Sequence, residues 1–204
     1  GTNGLETTSD SGYVKFTKRY TLVSPWSLDA TYTYTDATEN RSFGETFSLD
    51  YPSIDDYPVL RSSGVPRHRI VMAGSVDVPI GVTLSGKFTY QSPIYIKSLL
   101  GVAVPFERQL IGTEVESNGD RWGRRQFDFA VTKYISLPFL YDGAKVRLRA
   151  DVINAFNDRN YSSFNGSPGD NTRTPNSPTV FGERVGYGVS SPPRTLKLSA
   201  GFSF

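Results

Sequence analysis

Few residues of this chain have the types and spacing that catalysis would need. The single histidine, His68, stands between Arg67 and Arg69, and no neighbouring residue supplies the nucleophile and orienting carboxylate of a triad. The adjacent carboxyls Asp55 and Asp56 lie in a stretch rich in tyrosine and proline, where solvated loop charges are the simpler interpretation. We therefore expect a protein that is not an enzyme, with no catalytic residue and no cofactor.

Metal ligation has equally little support. The chain has no cysteine, which excludes thiolate metal sites and a disulfide framework. The stretch 165–171, NGSPGDN, offers oxygen atoms to Ca²⁺ but does not match the spacing of a twelve-residue EF-hand loop. A turn-rich loop explains this stretch more simply, so we expect no metal site and leave Ca²⁺ binding by the loops open.

Alternation of apolar and polar residues is the dominant pattern of the chain. Side chains alternate between the two faces of a β-strand, so this pattern predicts strands with one apolar and one polar face. The abundance of Tyr, Phe, Gly and Pro agrees with an all-β fold that has many turns. The alternating segments are Tyr13–Leu22, Trp26–Asp36, Arg67–Val78, Val82–Gln91, Arg125–Ile135, Ala144–Phe156 and Thr195–Phe204.

The lengths of the strands and of their connections point to a membrane. Each segment has roughly the 9–11 residues that a tilted strand needs to cross a bilayer, whereas strands of globular proteins usually have about 5–6. Short turns near 23–25, 79–81 and 136–143 alternate with long loops at about 38–66, 92–124 and 157–193. This arrangement is typical of an outer-membrane barrel. We predict an antiparallel transmembrane β-barrel over residues 13–204, preceded by a polar segment or outer loop at 1–12.

The predicted number of strands favours a barrel that other strands complete. Seven is odd, whereas bacterial single-chain barrels normally have an even number of strands. We therefore expect the chain to be the C-terminal part of a larger barrel, or to be completed by another chain. One alternative is a small stand-alone eight-stranded outer-membrane barrel with a structural or adhesion role. A second alternative is a β-sandwich or barrel that binds a ligand in solution.

Charged side chains in the middle of the predicted strands share the polar face. In a barrel they would face the interior, where charges select what passes or hold a plug. The simpler alternative is that they pair with a plug domain or with Asp29, Asp77, Asp128 and Asp151. The candidates for plug or substrate contact are Arg19, Arg69, Lys87, Lys145, Arg147, Arg149 and Asp151.

The long loops carry aromatic residues next to charged ones, a composition that suits recognition on a rigid scaffold. No ligand follows from them. The formal net charge of +2 gives no sign of the basic surface that a nucleic-acid partner would need. The recognition candidates in these loops are Tyr51, Tyr57, Trp122, Tyr161 and Phe164.

One stretch resembles a known family. The sequence AKVRLRADVINAFNDRNYSSFNG, residues 144–166, is similar to the penultimate strand of TonB-dependent outer-membrane transporters, which ends in a variant of NxFN…Y before the last extracellular loop. The matching residues are Asn154, Phe156, Asn157 and Tyr161. The closing PPRTLKLSAGFSF resembles the final strand of these transporters, and residues 19–37 and 64–93 resemble earlier strand pairs. The overall likeness is to the large, Oar-like members.

The resemblance implies a barrel of about 22 strands in the bacterial outer membrane that moves a scarce nutrient or a protein. The implied partners are the lipid bilayer, a plug domain with the remaining strands, and the TonB energy-coupling system if the full chain carries a TonB box. The plug and the TonB box have no counterpart in this sequence. The terminal aromatics Phe202 and Phe204 would belong to the signal that the barrel-assembly machinery reads.

Overall fold

A computed structural model describes residues 6–40, 51–100, 109–115, 122–140, 143–166, 180–185 and 188–203 of the chain. These residues form antiparallel β-sheets, which confirms the predicted all-β class. The helical residues among them are a short 3-10 turn, Ile54–Asp56. No helix of the described residues is long and apolar enough to span a membrane.

Ten strands are formed by the described residues. They are β1 (Thr7–Lys18), β2 (Trp26–Glu39), β3 (Leu60–Arg61), β4 (His68–Val78), β5 (Val82–Gln91), β6 (Tyr95–Leu100), β7 (Gln109–Glu114), β8 (Arg124–Ser136), β9 (Lys145–Ile153) and β10 (Thr195–Ser203). The large sheet has the order β1–β2–β4–β5–β8–β9–β10, and the short β3 pairs with β2. Strands β6 and β7 form a separate hairpin.

The seven predicted strands correspond to the seven long strands of the large sheet. The main difference is β1, which begins at Thr7, within the segment predicted as a polar extension at 1–12, and ends at Lys18. Its first residues contain no large apolar side chain, so alternation could not mark them. They are ordered by pairing with the far end of β2, where Thr7 lies opposite Glu39.

Two of the predicted loops contain further strands. The loop at 38–66 includes the 3-10 turn and β3, and the loop at 92–124 includes the β6–β7 hairpin. The short turns lie at the opposite end of the sheet, as predicted. The tightest joins Val78 to Val82, and Gly81 adopts a φ of 70° there, a conformation that glycine reaches without a steric penalty.

The strand register separates an apolar face from a polar face. In one row across the sheet, Phe16 lies opposite Ala30, Ala30 opposite Met72, Met72 opposite Phe88, and Phe88 opposite Phe127. Side chains in such a row project from the same face of a sheet. The rows of the intervening residues are polar, as the alternation predicted.

The apolar face is largely uncovered among the described residues. Leu198 exposes 72% of its surface and Val14 exposes 69%. The buried apolar residues are few and gather mainly at the end of the sheet that carries the long connections, which we call the loop end. They are Ala37, Tyr57, Leu110, Val115, Ala130 and Ala144.

The large sheet is open. Strands β1 and β10 are its edges, and within the described residues each of them pairs on one side only. These residues therefore do not close into a barrel by themselves. The sequence predicted that they are part of a larger barrel, and its completion by further strands belongs to the functional proposal below.

Candidate functional site: the polar face and the loop end

The polar face of the large sheet carries most of the charged residues that the sequence assigned to an interior. Arg19 is the exception, because it lies in the connection after β1, where its carbonyl accepts a hydrogen bond from Lys18 Nζ at 2.5 Å. The register places the other six on one face: Arg69, Lys87, Lys145, Arg147, Arg149 and Asp151.

Several of these charges are paired on the sheet itself. Arg149 donates to both carboxylate oxygens of Asp151, with Nη2 2.6 Å from Oδ1. Lys87 lies directly opposite Asp128, and Asp151 lies opposite Lys197. Opposite charges in such cross-strand positions attract each other. The alternative that the basic residues pair with carboxylates of the same face therefore holds for Arg149.

At the loop end, two ion pairs attach the β6–β7 hairpin to the rest of the chain. Lys97 in β6 pairs with Glu39 at the end of β2, and both side chains are largely buried. Arg61 in β3 pairs with Glu114 in β7, and its guanidinium lies 5.2 Å from the ring centre of Tyr95. These contacts link two long connections that are far apart in sequence.

Burial and charge shift the pKa values of two groups in this hairpin region. Burial alone would raise the pKa of the Glu39 carboxyl, but hydrogen bonding and attraction from Lys97 outweigh it and hold that pKa below its usual range. Burial raises the pKa of the Tyr95 hydroxyl, with Arg61 opposing this effect and Glu114 adding to it. The Glu39–Lys97 pair is thus a charged pair at neutral pH.

Two tyrosines predicted as recognition residues pack inside the loop end. The Tyr51 and Tyr57 rings lie 4.6 Å apart, and Tyr57 is buried. The Tyr51 hydroxyl accepts a hydrogen bond from the backbone N–H of Leu110 at 2.7 Å. These contacts hold the first long connection against β7, so both tyrosines have a structural role in addition to any contact with a ligand.

The start of the last connection is built around two asparagines with left-handed backbone conformations. Asn154 has a φ of 51° and Asn157 a φ of 55°, values that asparagine tolerates better than most residues. The buried Asn154 amide donates to the carbonyls of Asp158 and Pro192 at 2.9 and 2.8 Å. Asn157 Oδ1 accepts from the backbone N–H of Arg194 at 3.1 Å. Both residues therefore tie the end of β9 to the start of β10.

A third asparagine, Asn160, continues this tie to β8. Its side chain accepts from the Arg125 N–H at 2.7 Å and donates to the Arg125 carbonyl at 2.9 Å. The Arg125 guanidinium in turn grips both oxygens of Asp158 and lies 4.1 Å from the Trp122 ring centre. Trp122 is a recognition candidate from the sequence, whereas Arg125, Asp158 and Asn160 are not, because their roles depend on contacts between residues more than 30 positions apart.

The remaining recognition candidates lie beyond this tie. Tyr161 forms an isolated bridge with Val189, and Phe164 forms one with Arg184. The guanidinium of Arg184 lies 4.9 Å from the Tyr161 ring centre. The assembly-signal candidate Phe202 lies half-exposed on the apolar face, whereas Phe204 lies outside the described residues.

The two features that raised the question of catalysis have structural partners. The His68 Nδ1 atom and the Tyr32 hydroxyl share a hydrogen bond of 2.9 Å, and the His68 ring lies against the Tyr34 ring. Asp56 accepts a hydrogen bond from the Ser53 N–H at the start of the 3-10 turn. In the part of the chain that the structure describes, no three His, Asp or Glu side chains gather closely enough to hold a metal ion.

The architecture defines the class: an all-β protein built on one large antiparallel sheet with an apolar and a polar face. Comparison of the chain with protein-family models, with curated proteins and with solved structures gave no match.

Proposed function

We propose that this chain is the barrel portion of a TonB-dependent outer-membrane receptor or transporter, and that its apolar face contacts lipid. The observation that carries the proposal is the continuous apolar face of seven long strands, whose side chains remain exposed, as Leu196 at 64% and Leu198 at 72% illustrate. Contiguous apolar surfaces of this kind mark protein or membrane contacts. Lipid is the occupant that also accounts for strands of 9–14 residues.

Aromatic side chains at both ends of the apolar face support this proposal. Tyr34 lies against His68 at the loop end. At the short-turn end, Trp26 lies under the Lys18 ammonium at 4.7 Å, and Phe202 is half-exposed. Aromatic belts of this kind lie at the two lipid–water boundaries of membrane proteins. Lysines at these boundaries pack their aliphatic chains against apolar surface and keep the ammonium group in water.

The two ends of the apolar face run obliquely across the sheet, as a flat bilayer that crosses tilted strands requires. The apolar face extends from Trp26 to Tyr34 in β2 and from Ile135 to Phe127 in β8. The register places Phe127 in the same row as Ala30, four residues from Tyr34. We call the part of the apolar face between these ends the apolar band. From β2 to β8, which are three strand spacings of about 4.8 Å apart, this band shifts by about 14 Å along the strands.

This shift corresponds to a strand tilt of about 45° relative to the band, close to the ~35–45° of outer-membrane barrels. A sheet that packs against a second sheet has no reason to end its apolar face along such inclined parallel lines. The inclination supports lipid contact independently of how many residues are exposed. It also favours a membrane barrel over the alternative of a β-sandwich that binds a ligand in solution.

The receptor part of the proposal depends on the family resemblance. Asn154 and Asn157, two of the residues that match the family motif, form hydrogen bonds that close the start of the last connection. We infer that the loop end faces the cell exterior and that the polar face lines an interior, where a plug and a nutrient or protein substrate would meet Arg69, Arg147 and the other basic residues.

Substitutions on neighbouring residues of β5 test the lipid contact. In the full-length protein expressed in a Gram-negative host, Leu84→Arg on the apolar face should cost roughly 2–4 kcal/mol near the centre of the bilayer. The protein should then be depleted from the outer-membrane fraction. The matched control, Ser85→Arg, places the same charge on the polar face and should assemble normally.

The outcomes separate the two halves of the proposal. Equal assembly of the Leu84→Arg and Ser85→Arg proteins, with no loss from the membrane fraction, would overturn the lipid contact. The coding sequence upstream of Gly1 tests the family assignment, because a TonB-dependent protein must also encode further strands, a plug and a TonB box. A gene without them would leave a small outer-membrane barrel with a structural or adhesion role.

A further inference from the structure

A cleft of about 500 Å³ opens at the loop end between the two halves of the last connection. One wall is formed by the turn from Asn154 to Tyr161, and the other by Arg184 and the stretch from Val189 to Pro193. We call it the Arg184 cleft. Its volume lies in the range of about 300–1,000 Å³ that is typical of small-molecule sites.

The walls of the Arg184 cleft are held in place before any ligand arrives. The buried Asn154 side chain forms three hydrogen bonds. It accepts from the Asp158 N–H, and it donates to the Asp158 carbonyl on one wall and to the Pro192 carbonyl on the other. Ser191 Oγ donates to the Asp158 carbonyl at 3.0 Å, and Ser190 N–H donates to the Asn160 carbonyl at 2.7 Å. A preformed site avoids part of the entropy cost of ordering its loops on binding.

The charge that the cleft presents is positive. Arg184 contributes a guanidinium group to its lining and Asp158 contributes one carboxylate, whereas Arg159, which also lines the cleft, has an interaction of its own. That carboxylate is 92% buried at its side chain and is already gripped by Arg125 from outside the cleft. Among the described residues, no carboxylate lies within ion-pair distance of Arg184. An anion is therefore the ligand that the lining favours.

The rest of the lining is suited to an apolar or planar body. Val189, Pro192 and Pro193 line the cleft with carbon atoms, and the half-buried Tyr161 adds an aromatic ring. The guanidinium of the exposed Arg184 lies 4.9 Å from the centre of that ring. A guanidinium presents its donors as a planar fork, the geometry that binds a carboxylate through two parallel hydrogen bonds.

We propose that the Arg184 cleft binds a small organic carboxylate whose body is planar or apolar, with Arg184 as the main anion ligand. The carboxylate accepts hydrogen bonds from the Arg184 guanidinium, and the body packs against the proline wall. The inference goes beyond the proposed function and does not require it, because the cleft is formed by loop-end residues outside the apolar face. A failure of the lipid-contact test would leave this inference standing, and the reverse also holds.

Benzoate is the probe that combines both features of the proposed ligand. Saturation-transfer NMR on the full-length protein in deuterated detergent micelles should show saturable benzoate binding. Arg184→Gln should weaken it by about tenfold or more, since hydrogen bonds to charged groups are among the stronger ones. Benzamide, which has the same ring without the charge, should bind much more weakly to the wild-type protein.

A second variant and a control keep the test decisive. Arg159→Gln changes a lining guanidinium that already has an interaction of its own, and should weaken benzoate binding less than Arg184→Gln does. Lys133→Gln removes a positive charge from β8, outside the cleft, and should bind benzoate like the wild type. The proposal is overturned if benzoate does not saturate, if benzamide binds equally well, or if Arg184→Gln binds like Lys133→Gln.

Discussion

At the loop end of β8, the side chain of Asn160 forms the two hydrogen bonds that a neighbouring strand would form with the backbone of Arg125. It is needed there because β9 has already turned away at Asn154, whose φ of 51° ends the extended conformation. An unpaired backbone N–H and carbonyl in a buried position would each cost free energy. Asn160, which is itself buried, therefore completes the last pairing of the sheet at this end.

We predict that Asn160→Ala opens this junction. Loss of both hydrogen bonds should lower the local free energy of opening by about 1–3 kcal/mol, because the two Arg125 backbone groups lose their partner. Hydrogen–deuterium exchange of the Arg125 amide should accelerate accordingly. Asn160→Asp keeps the acceptor for the Arg125 N–H but lacks the donor. Its Arg125 amide should therefore exchange at a rate between those of the wild type and Asn160→Ala. Unchanged exchange in Asn160→Ala would contradict this role.

At the scale of elements, a charged anchor attaches the β6–β7 hairpin to β2. Lys97 pairs with Glu39, which lies five residues beyond Tyr34 and thus outside the apolar band of β2. The pKa of the Glu39 carboxyl is lowered in the folded state. Its contribution to stability is therefore present above the unfolded pKa of about 4.3 and is lost as the pH falls through the folded value.

We predict that acid loosens the hairpin before it affects the large sheet. As the pH falls through the lowered pKa of Glu39, the amides of β7 should lose protection against hydrogen exchange while those of β5 remain protected. Glu39→Gln should loosen the hairpin already at pH 7, by roughly 3 kcal/mol, because it leaves the buried Lys97 ammonium without its partner. The double variant Glu39→Gln/Lys97→Met should regain part of the protection. Protection of the β7 amides that persists until the β5 amides lose theirs would refute the anchor.

The long strands could be predicted from the sequence, because each has one apolar and one polar face and alternation records that directly. The hairpin could not be predicted in the same way. In YIKSLL, residues 95–100, both faces carry apolar side chains, and the buried Lys97 has its partner 58 residues away. The asparagines of the last connection were recognised by family resemblance, but their hydrogen-bond partners depend on tertiary contacts that no local pattern contains.

At the scale of the whole molecule, two features of the described residues lead to the same conclusion: edge strands that pair on one side only, and an apolar face that is largely uncovered. The edge strands β1 and β10 present rows of backbone groups that need partners, and in lipid every such group must be paired. Further strands at these edges would pair these backbone groups and, under the proposed function, would complete the barrel. If the apolar face contacts lipid as proposed, its inclined ends predict how deep each of its residues lies in the bilayer.

We predict that depth follows the inclined band and not the rows of the sheet. Ala30 lies midway between the two ends of the apolar band in β2, and Val131 lies midway between its ends in β8. The two residues nevertheless belong to different rows of the sheet. Phe127 shares a row with Ala30 but should lie about 10 Å nearer the membrane surface. It is four residues from Val131, each adding ~3.4 Å along a strand that is tilted by about 45°. Since the chain has no cysteine, single cysteines at these positions can each carry one fluorophore.

Spin-labelled lipids provide the measurement, because their quenching of each fluorophore depends on the depth of the nitroxide. In vesicles containing the full-length protein, a nitroxide in the middle of the acyl chain should quench Ala30→Cys and Val131→Cys equally and most strongly. A nitroxide near the headgroup should quench Phe127→Cys best. Labels at Thr31 and Thr132, on the polar face, should respond to neither lipid. Equal quenching profiles for the Ala30 and Phe127 labels would contradict the tilt, because depth would then follow the rows of the sheet. Quenching of the two threonine labels would contradict the assignment of the polar face to the interior.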